Sequence, residues 1–266
     1  MRSLAAIEEA ILRLALGLVF DVDDTITREG RLEPEAFAAL WALHRAGLRL
    51  IAVTGRPLGW ADVFARQWPI DVAVGENGAG WIWMEAGRAR EGHFEGSEAR
   101  ALGQARLSRI RARVGEALPE IILADDQRAR RADLAFDIGE RASLEPETIA
   151  HLISLIEGEG ARALVSSVHC HAIPGAWDKA LGVERAHLEV FSAPLDRDRW
   201  LFIGDSGNDA AAFATFPHSI GVANVRAQLH RLPQAPAFIT VADRGRGFAE
   251  LARALLAARG APAAGG

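Results

Sequence analysis

The sequence predicts an α/β protein, with helices on both faces of a doubly wound parallel sheet and a smaller α+β domain inserted into it. Three observations predict this class. Short apolar runs alternate with helix-like segments towards both ends of the chain, and polar residues follow each run. Between about residues 85 and 173 this pattern gives way to more charged, arginine-rich sequence. Half of the 266 residues are hydrophobic and 24% are charged, so the chain can bury a large core.

The first predicted core strand is the apolar run 14–20, with Asp21 at its carboxyl end. A short run without polar residues is typical of a parallel strand that is buried on both faces. Ligands of open α/β sheets bind at the carboxyl ends of the strands. We therefore expect Asp21 to lie in a ligand site.

A helix and a second strand follow. Pro34 is predicted to begin the helix and Gly47 to end it, because proline favours the first turn of a helix and glycine the position just after its end. The run 48–53 is predicted to be a buried strand, and Thr54 follows it directly. This order predicts a right-handed crossover between two parallel strands.

The same pattern returns near the end of the chain. A strand predicted at 199–203 leads into the polar loop 204–209, and an alanine-rich helix and a short strand at 218–223 come next. Three predicted strands thus end in polar residues. We expect these residues to lie together, because the carboxyl ends of parallel strands meet at one edge of a sheet.

The domain prediction is a core at 1–84, an inserted α+β domain at 85–173 and the rest of the core at 174–266. Two helical stretches and two strands are predicted within the insertion, at 97–118, about 127–131, 134–138 and 163–173. The last six residues, 261–266, are predicted to form a disordered tail.

Composition and charge exclude several classes of protein. The net charge of −5 lacks the basic excess of a nucleic-acid-binding protein. One cysteine, Cys170, excludes an internal disulfide and a multi-cysteine metal site. No stretch reaches the roughly 18 apolar residues of a membrane span, and the N-terminal stretch 7–20 lacks the features of a secretory signal. We expect a cytoplasmic monomer or weak homodimer, with no nucleic-acid or membrane partner.

The segment Asp21-Val22-Asp23 with Thr25 is the first candidate for chemistry. Two carboxylates two residues apart, on a chain leaving a strand, can reach one reacting centre. One can act as a nucleophile and covalent phosphoryl acceptor, and the other as a proton donor and acceptor. An isolated Asp-x-Asp is more often a pair of helix-capping acids, but its place after an apolar strand favours the chemical interpretation.

Thr54 and Gly55 occupy the corresponding place after the second strand. The Thr54 hydroxyl and the Gly55 amide can donate hydrogen bonds to phosphoryl oxygens. Alone, a threonine before a glycine is more often a capping residue in a turn.

The loop 204–209 is the most specific of these segments. Its glycines permit a tight turn, and the closely spaced carboxylates of Asp205 and Asp209 suit Mg²⁺, which binds few protein ligands and keeps several waters. A calcium loop of the helix–loop–helix type needs a glutamate and flanking helices that the sequence lacks here.

Lys179, at the start of a predicted helix, can neutralise a phosphoryl group and the crowded carboxylates. A single lysine is usually a solvated surface charge, so this assignment depends on the resemblance that follows.

These segments, in this order, resemble the four motifs of the haloacid-dehalogenase superfamily. The motifs of this sequence are Asp21-x-Asp23-x-Thr25, Thr54, Lys179 and Gly204-Asp205-x-x-x-Asp209. The insertion resembles the α+β cap, of C2B type, of subfamily IIB, the Cof-type and sucrose-phosphate-phosphatase-like group. The segment 76–79, Glu-Asn-Gly-Ala, also matches that group. Asp24 departs from it, because glycine is more usual there.

The resemblance implies a Rossmann-like core with a cap, and a Mg²⁺-dependent phosphatase that acts on a small phosphorylated metabolite such as a sugar phosphate. It assigns Asp21 as the nucleophile and Asp23 as the general acid and base. The implied metal ligands are Asp21, the Asp23 backbone carbonyl and Asp205, with Asp209 in support. The implied phosphate-binding groups are Asp21, Thr54, Gly55, Lys179 and Asn208.

Three alternatives compete with this assignment. A phosphomutase or phosphotransferase of the phosphomannomutase type shares the first half-reaction, and the sequence leaves it open. A dehalogenase has no alkoxide to protonate, so the second acid, Asp23, disfavours it. A receiver domain also combines aspartates, a threonine and a lysine on a doubly wound sheet, but it predicts a far shorter chain.

The cap contributes further candidates. His169 and His171 alternate on a predicted strand, so they share one face, which either points at the substrate or is half exposed. The arginines of the stretch 128–131 can bind a second anionic group, but a solvated helix face is the expectation. Trp81 and Trp83 are expected to pack in the core or at the hinge rather than to stack on a sugar.

Overall fold

The computed structural model of the protein describes residues 1–166 and 168–261. Its strands are β1 Arg2–Ser3, β2 Gly17–Asp21, β3 Thr27–Arg28, β4 Arg31–Leu32, β5 Arg49–Val53, β6 Val72–Gly75, β7 Gly80–Glu85, β8 Arg88–His93, β9 Leu134–Asp137, β10 Arg162–Val165, β11 His169–Ile173, β12 Trp200–Gly204, β13 Ser219–Gly221 and β14 Phe238–Ile239. Its α-helices are α1 Glu9–Leu14, α2 Pro34–Arg45, α3 Leu58–Gln67, α4 Ser97–Ala117, α5 Pro146–Gly158, α6 Lys179–Phe191, α7 Ala210–Thr215 and α8 Arg244–Ala258. Of the predicted tail at 261–266, residues 262–266 lie outside the described residues.

One large sheet forms the core. Over the described residues its strand order is β1-β14-β13-β12-β2-β5-β6-β7-β8. The pairs from β1 to β6 are parallel, whereas β6, β7 and β8 pair antiparallel. The chain runs from β2 outward through β5 and β6 and later returns to β12 on the other side of β2. This reversal creates the crevice in which ligands of such sheets bind.

Helices cover both faces of this sheet. Alternate residues of the buried strand β2 point to opposite faces, so Leu18 and Phe20 pack with α2, α3 and α8. Val19 packs on the other face with residues of α6 and α7. The predicted doubly wound α/β class is therefore confirmed.

The predicted core elements differ from the observed ones mainly at their ends. Helix α2 begins at Pro34, and Gly47, with a φ of +77°, follows it. Strand β2 begins at Gly17, later than predicted, because Leu14 completes helix α1, which contacts α8.

A second, antiparallel sheet of strand order β10-β11-β9 lies within the insertion. Helices α4 and α5 cover one of its faces, where Phe136 and Cys170 pack against Ile110 and Leu152. The predicted single strand 163–173 is in fact the two strands β10 and β11. The Ser166 hydroxyl accepts the His169 N–H, and such side-chain hydrogen bonds favour a turn over a continuous strand. The stretch predicted as a helix near 127 is a 3₁₀ helix, Asp125–Ala129.

Strand β8 lies in the large sheet, although the sequence analysis assigned residues from 85 onward to the cap. The β7–β8 hairpin extends the core sheet beyond β6. We propose that the cap begins after His93.

Across the described residues, the structure contains no helix that is both long enough and apolar enough to span a membrane.

Candidate active site

The predicted site residues meet at the carboxyl edge of the large sheet, because β12, β2 and β5 are adjacent and parallel. The edge carries Asp21, Asp23, Thr54, Gly55, Lys179, Asp205, Asn208 and Asp209. Lys179 is the first residue of α6. The Asp178 side chain accepts the Leu181 N–H and caps this helix.

Lys179 bridges two of the carboxylates. Its Nζ lies 2.5 Å from Asp21 Oδ1 and 2.6 Å from Asp209 Oδ1, and its side chain is fully buried. Burial alone would lower the pKa of Lys179, but the carboxylates of Asp209 and Asp21 raise it above its ordinary value. Lys179 is therefore a fixed positive charge, and the Asp21 carboxylate is held on one side by Lys179 and on the other by the Thr25 hydroxyl, 3.2 Å from Oδ2.

Asp21, Asp205 and Asp209 form an acidic cluster in which one oxygen of each carboxylate lies within 4.8 Å of the others. Burial, together with the neighbouring acids, raises the pKa of Asp21 to about 8 despite Lys179. Burial and the Asp21 carboxylate likewise raise the pKa of Asp205 well above its ordinary value. One lysine does not balance three buried carboxylates. A hard divalent cation fits this all-oxygen donor set and supplies the missing charge.

Asp209 also shapes the loop in which it lies. Its Oδ2 accepts the backbone N–H groups of Asp205, at 2.9 Å, and Ser206, at 3.0 Å. A Cβ atom on Gly204 would lie 2.5 Å from this oxygen, so the close approach requires glycine. With its other oxygen on Lys179, Asp209 positions both the loop and the lysine.

Asn224 orients the remaining acid of the cluster. Its Nδ2 donates to Asp205 Oδ2 at 3.0 Å and to the Asp24 carbonyl oxygen at 3.0 Å. Asn224 is not among the site residues predicted from the sequence. It follows strand β13 closely, so the rule that polar residues at strand ends form the site would have found it.

The Asp23 carboxylate lies outside the acidic cluster and contacts Arg56. Arg56 Nε lies 3.0 Å from Asp23 Oδ2, and Arg56 Nη2 lies 3.0 Å from Asp23 Oδ1. Thr54 Oγ1 is 3.5 Å from the same carboxylate. The Asp23 side chain is 32% exposed, so it can still meet a ligand. Arg56 was also missed, although it directly follows Thr54-Gly55.

Arg56 connects this carboxylate to the cap. Its Nη1 lies 3.3 Å from Asp126 Oδ2 and 3.7 Å from Glu140 Oε1. Glu140 Oε2 in turn lies 2.9 Å from His169 Nε2. Two acids of the cap therefore contact Arg56, and a cap histidine contacts one of these acids.

Arg130 is the second basic residue between cap and core. Its Nη1 donates to the Gly55 carbonyl oxygen at 2.8 Å and to Asp133 Oδ1 at 3.1 Å, and its side chain is fully buried. The expectation of a solvated arginine face is wrong for this residue, because Asp126 and Asp133 neutralise its charge inside the protein.

His171 completes this cluster, and its Nδ1 lies 2.9 Å from Asp133 Oδ2. Burial lowers the pKa of His171 below its ordinary value. Burial alone would raise the pKa of Asp133, but Arg130 and His171 lower it. His169 and His171 share a face of β11, as expected, but the half-exposed alternative is wrong, because both are buried against acids.

Glu76 contacts both the cap and the core through hydrogen bonds. Its fully buried carboxylate accepts the Leu58 N–H of the core and the N–H groups of Arg131, Ala132 and Asp133 of the cap. Backbone N–H groups of both domains thus converge on one carboxylate beside the site.

The family model described as sucrose-6F-phosphate phosphohydrolase matches residues 14–242. A phosphoglycolate phosphatase of Haloarcula marismortui is 29% identical over 238 residues, which are 88% of this chain and 94% of that protein. The sucrose-phosphatase of Synechocystis, solved with sucrose and phosphate, superposes with a TM-score of 0.65 at 15% identity, covering 90% of this chain and 97% of that one. A Thermoplasma acidophilum protein gives a TM-score of 0.70 at 21% identity, covering 91% and 98%.

Proposed function

Because this chain belongs to the sucrose-6F-phosphate phosphohydrolase family, and is a phosphatase of the haloacid-dehalogenase type, we propose that it hydrolyses the phosphate ester of a sugar or similar polyhydroxy metabolite with Mg²⁺ as cofactor. One observation carries this proposal. Lys179 bridges Asp21 and Asp209 beside Asp205, an arrangement of charges that suits an anionic phosphoryl group and a divalent cation.

Asp21 is the proposed nucleophile. Its carboxylate is fixed by Lys179 and by the Thr25 hydroxyl, so one oxygen can be aimed at phosphorus in line with the leaving oxygen. Attack forms a phospho-aspartyl intermediate as the bond from phosphorus to the leaving oxygen breaks. The phosphoryl oxygens accept hydrogen bonds from Lys179, the Thr54 hydroxyl and the Gly55 N–H. Asn208 lies at the same edge of the sheet.

Asp23 is the proposed general acid and base. It gives a proton to the departing alkoxide and then takes one from the water that hydrolyses the intermediate. The Asp23 side chain is 32% exposed, so it can contact both the leaving oxygen and the attacking water. Arg56 keeps its carboxylate on the leaving-group side of Asp21.

The acidic cluster supports the choice of cofactor. Asp21, Asp205 and the Asp23 backbone carbonyl are the proposed ligands of Mg²⁺, which when bound supplies positive charge to the transferring phosphoryl group. Asp209 supports them by holding the loop and Lys179 in place.

The cap favours a neutral leaving group over an acidic one. Arg56, the basic partner of Asp23, also contacts the cap acids Asp126 and Glu140, so its charge is already engaged. Arg130 is committed to Asp126, Asp133 and the Gly55 carbonyl. A carboxylate such as that of phosphoglycolate would meet more negative than free positive charge, whereas sugar hydroxyls can donate to Asp126 and Glu140.

A substrate panel with Mg²⁺ tests the proposal, with sucrose 6-phosphate, hexose phosphates and 2-phosphoglycolate compared by kcat/KM from released phosphate. We expect the best sugar phosphate to exceed 2-phosphoglycolate by about 10-fold or more, since one misplaced charge costs a kcal/mol or more. A preference for 2-phosphoglycolate would refute the sugar assignment, and an isomeric hexose phosphate in place of free phosphate would favour a phosphomutase.

The nucleophile is tested separately with p-nitrophenyl phosphate. Asp21→Asn is expected to lower kcat by on the order of 10³-fold or more, because removal of a covalent nucleophile leaves only binding and electrostatic effects. Unchanged turnover would exclude Asp21 from this role.

A further inference from the structure

Asn77 contains a buried hydrogen-bond donor without a partner. Among the side chains that the structure describes, its Nδ2 is the one buried nitrogen or oxygen atom that has no hydrogen-bond partner in the protein. The whole residue is 0% exposed. Buried polar atoms almost always have a partner, whether protein, water or ligand, because leaving one unpaired destabilises the fold.

The loop 206–209 contacts the oxygen of this amide through Asn208. The Asp209 N–H donates to the Ser206 carbonyl oxygen at 3.1 Å, and the Ser206 hydroxyl donates to Asn208 Oδ1 at 2.9 Å. Asn208 Nδ2 then donates to Asn77 Oδ1 at 3.3 Å. In this arrangement the oxygen of Asn77 faces Asn208, and the NH₂ group of Asn77 has no partner.

The free NH₂ group lies beside the peptide proposed to bind phosphate. The Asn77 N–H donates to the Thr54 carbonyl oxygen at 3.0 Å, which fixes Asn77 against the end of β5. A Cβ atom on Gly55 would lie 3.2 Å from Asn77 Oδ1, 3.3 Å from Asn77 Nδ2 and 3.5 Å from Asn208 Nδ2. The Asn77 and Asn208 amides therefore pack closely against Gly55, which directly follows Thr54.

We propose that Asn77 Nδ2 binds the substrate by donating a hydrogen bond to a non-bridging oxygen of the transferring phosphoryl group. This rests on the proposed phosphatase function of the same site. A phosphoryl group brings charged oxygens that only accept hydrogen bonds, which is what an unpaired NH₂ group requires. Lys179, Thr54 and Gly55 approach the phosphoryl group from β5 and α6, and Asn77 adds a donor from the turn after β6.

The proposal also accounts for the backbone at this position. Asn77 has a φ of +55°, a left-handed conformation that asparagine tolerates better than most residues. This turn places the amide against Gly55 rather than towards solvent.

The test measures binding of inorganic phosphate to the Mg²⁺-loaded protein by calorimetry, together with kcat and KM for p-nitrophenyl phosphate. Asn77→Asp keeps the shape but replaces the donor with an acceptor, and Asn77→Gly keeps the left-handed turn but removes the amide. Gln67→Glu is the matched control, because it makes the same chemical change at an exposed residue.

Both Asn77 variants are expected to bind phosphate about 10- to 100-fold more weakly, as for loss of a hydrogen bond to a charged group, with the wild-type unfolding temperature kept in at least one of them. The control should bind like the wild type. Wild-type affinity in both variants would overturn the proposal and indicate that the amide binds an ordered water. A loss of affinity confined to Asn77→Asp would also overturn it, because repulsion by the new carboxylate would explain that loss. If the wild-type protein neither binds phosphate nor hydrolyses the aryl ester, the proposed function itself fails.

Discussion

Arg56 holds the carboxylate of Asp23 through two hydrogen bonds of 3.0 Å, from Nε to Oδ2 and from Nη2 to Oδ1. This pairing separates the two aspartates of the Asp21-Val22-Asp23 segment. Asp21 turns towards Lys179 inside the core, whereas Asp23 turns towards the cap. The division matches the roles proposed for them, since a nucleophile must face phosphorus and a proton donor must face the leaving group.

Arg56→Ala and Arg56→Lys should therefore impair proton transfer to the leaving group. We expect kcat for a sugar phosphate to fall by about 10- to 100-fold in both variants, which is part of what general acid catalysis contributes. The lysine variant is included because lysine cannot form both hydrogen bonds of the arginine. The loss should be much smaller for p-nitrophenyl phosphate, whose leaving group needs no proton. Arg66→Ala, which removes an exposed pair with Asp62, is the control. Equal losses for both substrates would instead indicate a general disturbance of the site.

Removal of divalent metal should abolish activity. Dialysis against EDTA is expected to inactivate the protein and added Mg²⁺ to restore it, because Lys179 alone does not balance the acidic cluster. Asp205→Asn should raise the Mg²⁺ concentration for half-maximal activity by about 10-fold or more, in line with the effect of altering a metal ligand or its support. Asp62→Asn is the control, and full activity in EDTA would exclude the metal.

Glu76 should make stability depend on pH. Burial and the Asp133 carboxylate raise its pKa to about 7 in the folded protein, against about 4.5 in the unfolded chain. The folded state thus binds this proton more tightly, so the contribution to stability is full below about pH 4.5 and is lost as the pH rises through about 7.

Urea unfolding of the wild type and Glu76→Gln between pH 4.5 and 8 measures this effect. The free energy of unfolding of the wild type, relative to that of the variant, should fall across this range by up to about 3 kcal/mol. Glu116→Gln, at an exposed position of α4, should show no such change. A pH-independent difference between the wild type and Glu76→Gln would contradict the shifted pKa.

Gly182 permits the close packing that positions Lys179. A Cβ atom at Gly182 would lie 2.3 Å from the Cα atom of Gly78, so Gly182→Ala must displace either α6 or the turn at 76–78. We expect a loss of about 1–3 kcal/mol in stability, as for overpacking, together with reduced activity. Gly115→Ala, in α4 with open space around it, should stabilise the protein by about 0.5–1 kcal/mol. Thermal unfolding compares the two, and equal effects would exclude the packing explanation.

The strands of the core could be predicted because parallel strands buried on both faces must be apolar, as β2 is. The break between β10 and β11 was missed because Ser166 directs the turn through hydrogen bonds to its own neighbours. The end of the large sheet was missed because strand β8, with the sequence Arg-Ala-Arg-Glu-Gly-His, has only one buried residue of six and carries little apolar signal.

The sequence by itself determined the α/β class, the family and the four segments that meet at the carboxyl edge of the sheet, because these depend on apolar periodicity and on residues close along the chain. Only the tertiary structure decided which partner each charge has. Arg56 meets Asp126 and Glu140 across 70 and 84 positions of sequence, and Arg130 reaches the Gly55 carbonyl. The Asp21-Val22-Asp23 segment marks the site, but the direction in which each of its acids turns is set by Lys179 and Arg56, through electrostatic contacts that sequence spacing does not encode.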